Sequence, residues 1–157
     1  EGLSLPEPKA SRNAIERLMS HSADKRIVGA LYRDRRRVNK AQCEKAFSSE
    51  AENKRLLELF KSPTGSDEPE ECGWVGFGLV RIHRSVFLEM KEASKPGGKL
   101  PEIAPPKGRE TDAYGFFGRT SEQRGEDVVF CRRAGKIGIK TYVDTGCLLG
   151  HIGKAIY

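Results

Sequence analysis

No apolar run in this sequence approaches the roughly 18 residues that a membrane-crossing helix needs. None of the four cysteines (Cys43, Cys72, Cys131, Cys147) forms a Cys-x-x-Cys pair, and His21, His83 and His151 stand at no zinc-finger spacing. A structural zinc is therefore not expected. Cys131 and Cys147 lie in apolar runs, where a free thiol usually packs as a small hydrophobe. The first residues, with Pro6 and Pro8, read as a loop and not as a secretory leader, so the expected setting is reducing and cytoplasmic. A P-loop is missing, because no Gly-Lys-Ser/Thr follows the glycine-rich run at 73–78. A dinucleotide fingerprint is missing too: Gly76-Phe77-Gly78 sits inside a strand-like run and lacks the further glycine. Aromatic residues make up only 8% and are not interleaved with basic ones, and no standard nucleic-acid recognition motif appears. There is no internal repeat.

What is present fits one domain spanning residues 1–157, long enough for a real core. Hydrophobic residues are 37% and charged residues 32%, with a formal net charge of +6 that would attract phosphates of any origin. The basic run Arg33-Asp34-Arg35-Arg36-Arg37 reads either as a solvated loop or as an anion site at the carboxyl end of a strand.

Hydrophobic period and turn signals divide the chain. Ser11 can cap a helix to about Ser20, with Ala14, Ile15, Leu18 and Met19 on one apolar face. Ile27–Tyr32 is a short apolar run that reads as a buried strand. Residues 41–60 read as a helical stretch with Leu56, Leu57 and Phe60 on one side, and 62–71 as a turn-rich acidic linker. Cys72–Ile82 reads as a strand carrying Gly73, Gly76 and Gly78, which mark a bulge or the close approach of a ligand or backbone. A helix follows at Arg84–Met90, ended by Pro96-Gly97-Gly98, and then a long loop. Tyr114-Gly115-Phe116-Phe117 is an aromatic anchor. A helix at 126–135 ends through Gly135 or Gly138, and two strands follow, Ile139–Val143 and Cys147–Ile152. Alternating strands and helices argue an α/β fold.

Two adjacent acids, Glu126 and Asp127, open the helix after Gly125. Acids at a helix start feel the positive end of the macrodipole, which suits a plain cap and equally a general base.

The ordered set of motifs resembles the C-terminal, acceptor-side half of GT-A glycosyltransferases, in particular the family-2-like enzymes of bacteria and phages. The match runs through Gly76-Phe77-Gly78-Leu79-Val80-Arg81-Ile82-His83-Arg84-Ser85-Val86-Phe87 to Gly125-Glu126-Asp127-Val128-Val129-Phe130-Cys131-Arg132-Arg133-Ala134. It closes with Gly138–Asp144 and Gly150-His151-Ile152-Gly153, and Ile15–Met19 with Ile27–Tyr32 looks like the family's helix and strand after its metal motif. The resemblance implies a partial GT-A-like mixed sheet flanked by helices. It implies transfer of a sugar from a nucleotide-sugar donor to a hydroxyl acceptor. Asp127 would be the base, and Glu126 would shape the site or hold the acceptor. Trp74, Gly76 and Gly78 would wall the sugar and acceptor pocket. His151 would join a divalent cation, Mn2+ or Mg2+, that stabilises the leaving diphosphate.

The family's nucleotide-binding half and its Asp-x-Asp motif are not in this sequence. The expectation is therefore a fragment, a truncated reading frame or a redeployed remnant, inactive alone, whose exposed strand edges favour a homo-oligomer. The alternatives are a non-catalytic oligomerising remnant and a basic nucleic-acid-binding module, the second disfavoured by the aromatic pattern.

Overall fold

The computed structural model describes residues 13–33, 39–100, 116–117 and 125–150. In chain order the elements are α1 (Ala14–Ser20), β1 (Ile27–Tyr32), α2 (Glu44–Ser48), α3 (Glu50–Glu58), β2 (Glu70–Cys72), β3 (Val80–Ile82), α4 (Arg84–Ala93), α5 (Glu126–Lys136) and β4 (Thr141–Leu149). The four strands form one mixed sheet in the order β2-β4-β1-β3. The central pair β1 and β4 is parallel, and each carries an antiparallel edge strand on its outer side. The architecture is thus mixed α/β, a four-stranded sheet flanked by helices, as the alternation of elements led us to expect.

Alternation along β1 sorts the core. Val28 and Ala30 face α1 and pack with Leu18 and Cys147. Ile27 packs with α4 and α5 through Val86, Met90, Phe130 and Ala134, and Leu31 packs with α2 and α3 through Ala46 and Leu56. Both faces of β1 are covered, which explains why it reads as a continuous apolar run.

Local chemistry sets the helix ends. Asn13 caps α1, accepting the Glu16 N–H at 2.9 Å. Ser49, in an extended conformation, accepts the Glu52 N–H and divides the expected helix at 41–60 into α2 and α3. At the end of α5, Gly138 has φ +83°, and its N–H donates to the Gly135 carbonyl while the Ile139 N–H reaches the Ala134 carbonyl, both at 3.0 Å. That is a Schellman end, so Gly138 terminates the helix and Gly135 lies inside it. On α1 only Leu18 is buried; Ile15 and Met19 are each 64% exposed. The sheet-facing stripe is Ala14 and Leu18, with Arg17 and His21 reaching past it, so the single apolar face expected from the sequence is only half used.

Two strand expectations need correction. The glycine-containing run at 72–82 is not one strand. β2 ends at Cys72 on one edge and β3 begins at Val80 on the other, and residues 73–79 cross between them. Conversely, the two strands expected at 139–152 are one strand, β4, with an irregularity after Asp144: Ala30 pairs with Asp144, but Leu31 pairs with Leu148. Each edge strand is only three residues long. Short edges resist strand addition, so these edges offer little for the association expected from the sequence.

The crossing segment is possible because β1 carries a glycine. Val75 is fully buried on Gly29, where an added Cβ would stand 2.6 Å from Val75 Cγ1 and 2.7 Å from Cγ2. Trp74 and Gly76 bind the segment to α2's approach, through Glu44 N–H to the Trp74 carbonyl and Gly76 N–H to the Gln42 carbonyl, each 2.9 Å. Gly29→Ala is expected to lower stability by about 1–3 kcal/mol through overpacking, seen as a lower urea midpoint. An unchanged midpoint would mean the crossing segment yields freely.

All four cysteines are free and buried. Burial pushes the Cys131 and Cys147 thiols up to about 11, and pushes Cys72 higher still. Because the thiolate is the nucleophile, the native protein should resist a thiol reagent at pH 7.5 and release all four groups only in denaturant. Rapid native labelling of any one would contradict this packing.

Candidate functional site

The acidic pair sits where α5 begins. Gly125 is the N-cap and makes no side-chain cap bond. Glu126 is exposed, whereas Asp127 is half-buried. Its Oδ1 accepts the Val128 N–H at 2.7 Å. Burial raises the Asp127 carboxyl above the usual range, and the neighbouring Glu126 charge adds to that; the N–H groups of Val128, Asp127 and Phe77 pull the other way. Asp127 therefore lies against the Phe77 backbone, in the middle of the crossing segment. The Phe77 N–H between Gly76 and Gly78 is what Asp127 meets of that stretch.

An aromatic group gathers around the Phe77 ring. The Phe77 ring meets Phe130 edge-on at 5.5 Å and Phe117 at 6.1 Å, and Phe117 stacks on Phe130 at 5.0 Å. Phe130 is in the core and Phe117 is 46% exposed.

The other expected residues are placed differently. Trp74 turns toward α2 and packs on Phe47 at 5.2 Å, so its ring belongs to the opposite end of the crossing segment from Phe77. Gly76 and Gly78 flank the ring of Tyr32. A Cβ at Gly76 would run into Tyr32 Oη, and one at Gly78 would stand 2.9 Å from Cε1. The close approach those glycines permit is made by Tyr32. His151 lies outside the described residues. Among the described residues, no three His, Cys, Asp or Glu side chains are grouped to hold a metal. The donor set for the implied cation is not formed among them. Of the arginines that a continuous basic stripe would need, Arg133 is buried and Arg33 lies over the Phe60 ring at 4.9 Å; Arg35, Arg36 and Arg37 lie outside the described residues.

One polar cluster was not anticipated. Asp144, with no exposure, accepts from Arg17 Nε and Nη2, both at 2.9 Å, from the Gly146 N–H at 2.9 Å, and faces His21 Nε2 at 2.7 Å. Arg17 Nη2 also donates to the Ser66 carbonyl at 2.8 Å. The cluster ties α1, the loop before β2 and the irregular part of β4 into one knot. Its sequence signal was the i, i+4 spacing of Arg17 and His21 on one helix side, with an acid inside the apolar run at 143–145. Every lone pair of the carboxylate is engaged, so the cluster is a clamp and not a reactive pair.

No protein-family model, no curated protein and no solved structure matches this chain.

Proposed function

We propose that this chain is the acceptor-side part of a glycosyltransferase of the inverting kind, acting on a nucleotide-sugar donor and a hydroxyl acceptor. The observation that carries this reading is the setting of Asp127. It is a half-buried carboxylate with raised proton affinity, held against the glycine-flanked Phe77 backbone. A carboxylate in that setting is a better proton acceptor than an exposed one. As the acceptor oxygen attacks the anomeric carbon, its proton passes to Asp127, the new C–O bond forms, and the nucleoside diphosphate leaves with the electron pair of the old one. The exposed face of Phe117 offers a surface on which a sugar ring can lie, and the exposed Glu126 would hold a second acceptor hydroxyl. A divalent cation, when bound, supplies charge stabilisation to the departing diphosphate. His151 and the Asp-x-Asp of a nucleotide-binding half belong to this proposal as its metal ligands.

The test is nucleoside diphosphate release from UDP-glucose, UDP-galactose and GDP-mannose, with and without a pool of simple glycosides. The protein assayed joins this chain to a nucleotide-binding half. Acceptor-dependent release from one donor is the expected result. Release from none, or release that ignores Asp127, would remove the reading.

A further inference from the structure

We propose that Gly125 is a positioning residue for Asp127: its missing side chain is the space into which the carboxylate folds back over the first turn of α5. The inference rests on the reading of Asp127 as the base, and adds what holds it there.

An N-cap is ordinarily Ser, Thr, Asp or Asn, whose side-chain oxygen takes an amide two or three residues on. Here the N-cap is glycine, and the amide three residues on, that of Val128, is taken by Asp127 from within the helix at 2.7 Å. Asp127 thus makes the bond that a conventional cap would make. Glycine is not demanded by the backbone: Gly125 has φ −58° and ψ 151°, values open to any residue. Nor is it demanded by packing against the rest of the fold. An added Cβ would meet Asp127 Oδ1 at 2.6 Å and Cγ at 3.6 Å, and no other described residue within 4 Å. Among the described residues, a side chain at this position therefore disturbs the carboxylate alone. The clash is with the far end of a side chain, so it is relieved by turning Asp127 outward at little cost to the fold. A serine would even supply the conventional cap in its place. The absence of the ordinary cap at Gly125 keeps the acid, not the helix, in position.

The experiment compares Gly125→Ser and Gly125→Ala with wild type by amide and carboxyl NMR across pH 3–8, using Asp127→Asn to assign the titration. In wild type, the Val128 amide shift follows the ionisation of Asp127. In both variants that pH-dependent shift should disappear and the Asp127 carboxyl should titrate closer to an ordinary exposed aspartate. The thermal midpoint should stay within a few degrees of wild type, Ser at or above Ala. Misplacement of a reacting group by about 1 Å can cost about a hundredfold, so kcat should fall on that order in the joined protein, with KM little changed. An unchanged Val128 and Asp127 titration in both variants would overturn the proposal. So would unfolding of both, because a side chain would then meet more than the carboxylate. The titration needs no turnover: if Asp127→Asn leaves transfer intact while Gly125→Ser still displaces the carboxylate, the base assignment fails and the positioning geometry stands.

Discussion

Asp127→Asn should leave the protein folded and reduce transfer by about 10²–10⁴-fold, the usual contribution of a positioned general base. Asn keeps the shape and can still accept the Val128 N–H, but it cannot take a proton. Stability should move in the opposite direction from activity. The Asp127 carboxyl is raised in the folded state, chiefly by burial, so the native protein binds its proton more tightly than the unfolded chain does. Between the unfolded and folded values the folded state holds more protons, and stability falls as pH rises through that window. Above the window the charged carboxylate is a net burden, which Asn lifts. Denaturation at pH 7 should therefore show Asp127→Asn equal to or slightly more stable than wild type, with the difference vanishing in acid. The rate should rise with pH through the same raised value, because only the ionised form accepts a proton. A stability loss on substitution would mean that Asp127 is chiefly a cap.

Asp144→Ala should have the largest effect on folding, about 3–5 kcal/mol, the range for breaking a buried ion pair by removing one partner. Arg17 is bound to this carboxylate on two nitrogens, His21 on one, and the Gly146 N–H on the same oxygen that Arg17 shares. Without Asp144 the side chains of Arg17 and His21, 22% and 7% exposed, face each other across an unfilled space. Asp144→Asn should cost less, since it retains an acceptor for Gly146. The measurement is the urea midpoint and slope of both variants with Arg17→Ala and the double variant. If Asp144→Ala lost under about 1 kcal/mol, the clamp would be replaced by water and the pair would carry no more than a surface pair does.

How much of this was legible before the fold was known varies by element for physical reasons. Ile27–Tyr32 was read correctly because a strand covered on both faces shows itself as an apolar run. The helix at 126–136 was read because its start and its glycine stop are local signals. The division at Ser49 was missed, because a cap inside a helical period competes with the period and only tertiary packing decides. The run at 72–82 was read as one strand because β-branched and aromatic residues are the same in a strand and in an extended crossing segment; the glycines at 73, 76 and 78 were the warning. The role of Gly76 and Gly78 toward Tyr32 was not anticipated, since nothing in the sequence links residue 32 to residue 76. Asp144's clamp was missed for the same reason, the spacing of Arg17 and His21 giving no partner: Arg17 is 127 residues away in the chain.

That last distance has a kinetic meaning. β1 and its parallel partner β4 pair Ile27 with Thr141, so the sheet's centre cannot close until the long stretch between them is available. Loop closure over such a span is slow compared with local helix formation, and contacts of this kind lower folding rates. Until β4 arrives, β1 exposes one whole side of its ladder, held only by the antiparallel β3. A nascent chain that has β1 but not yet β4 leaves the apolar residues of Ile27–Tyr32 partly uncovered. The clamp at Asp144 can form only once β4 has joined the sheet, and an open form with apolar surface exposed is the aggregation-prone one.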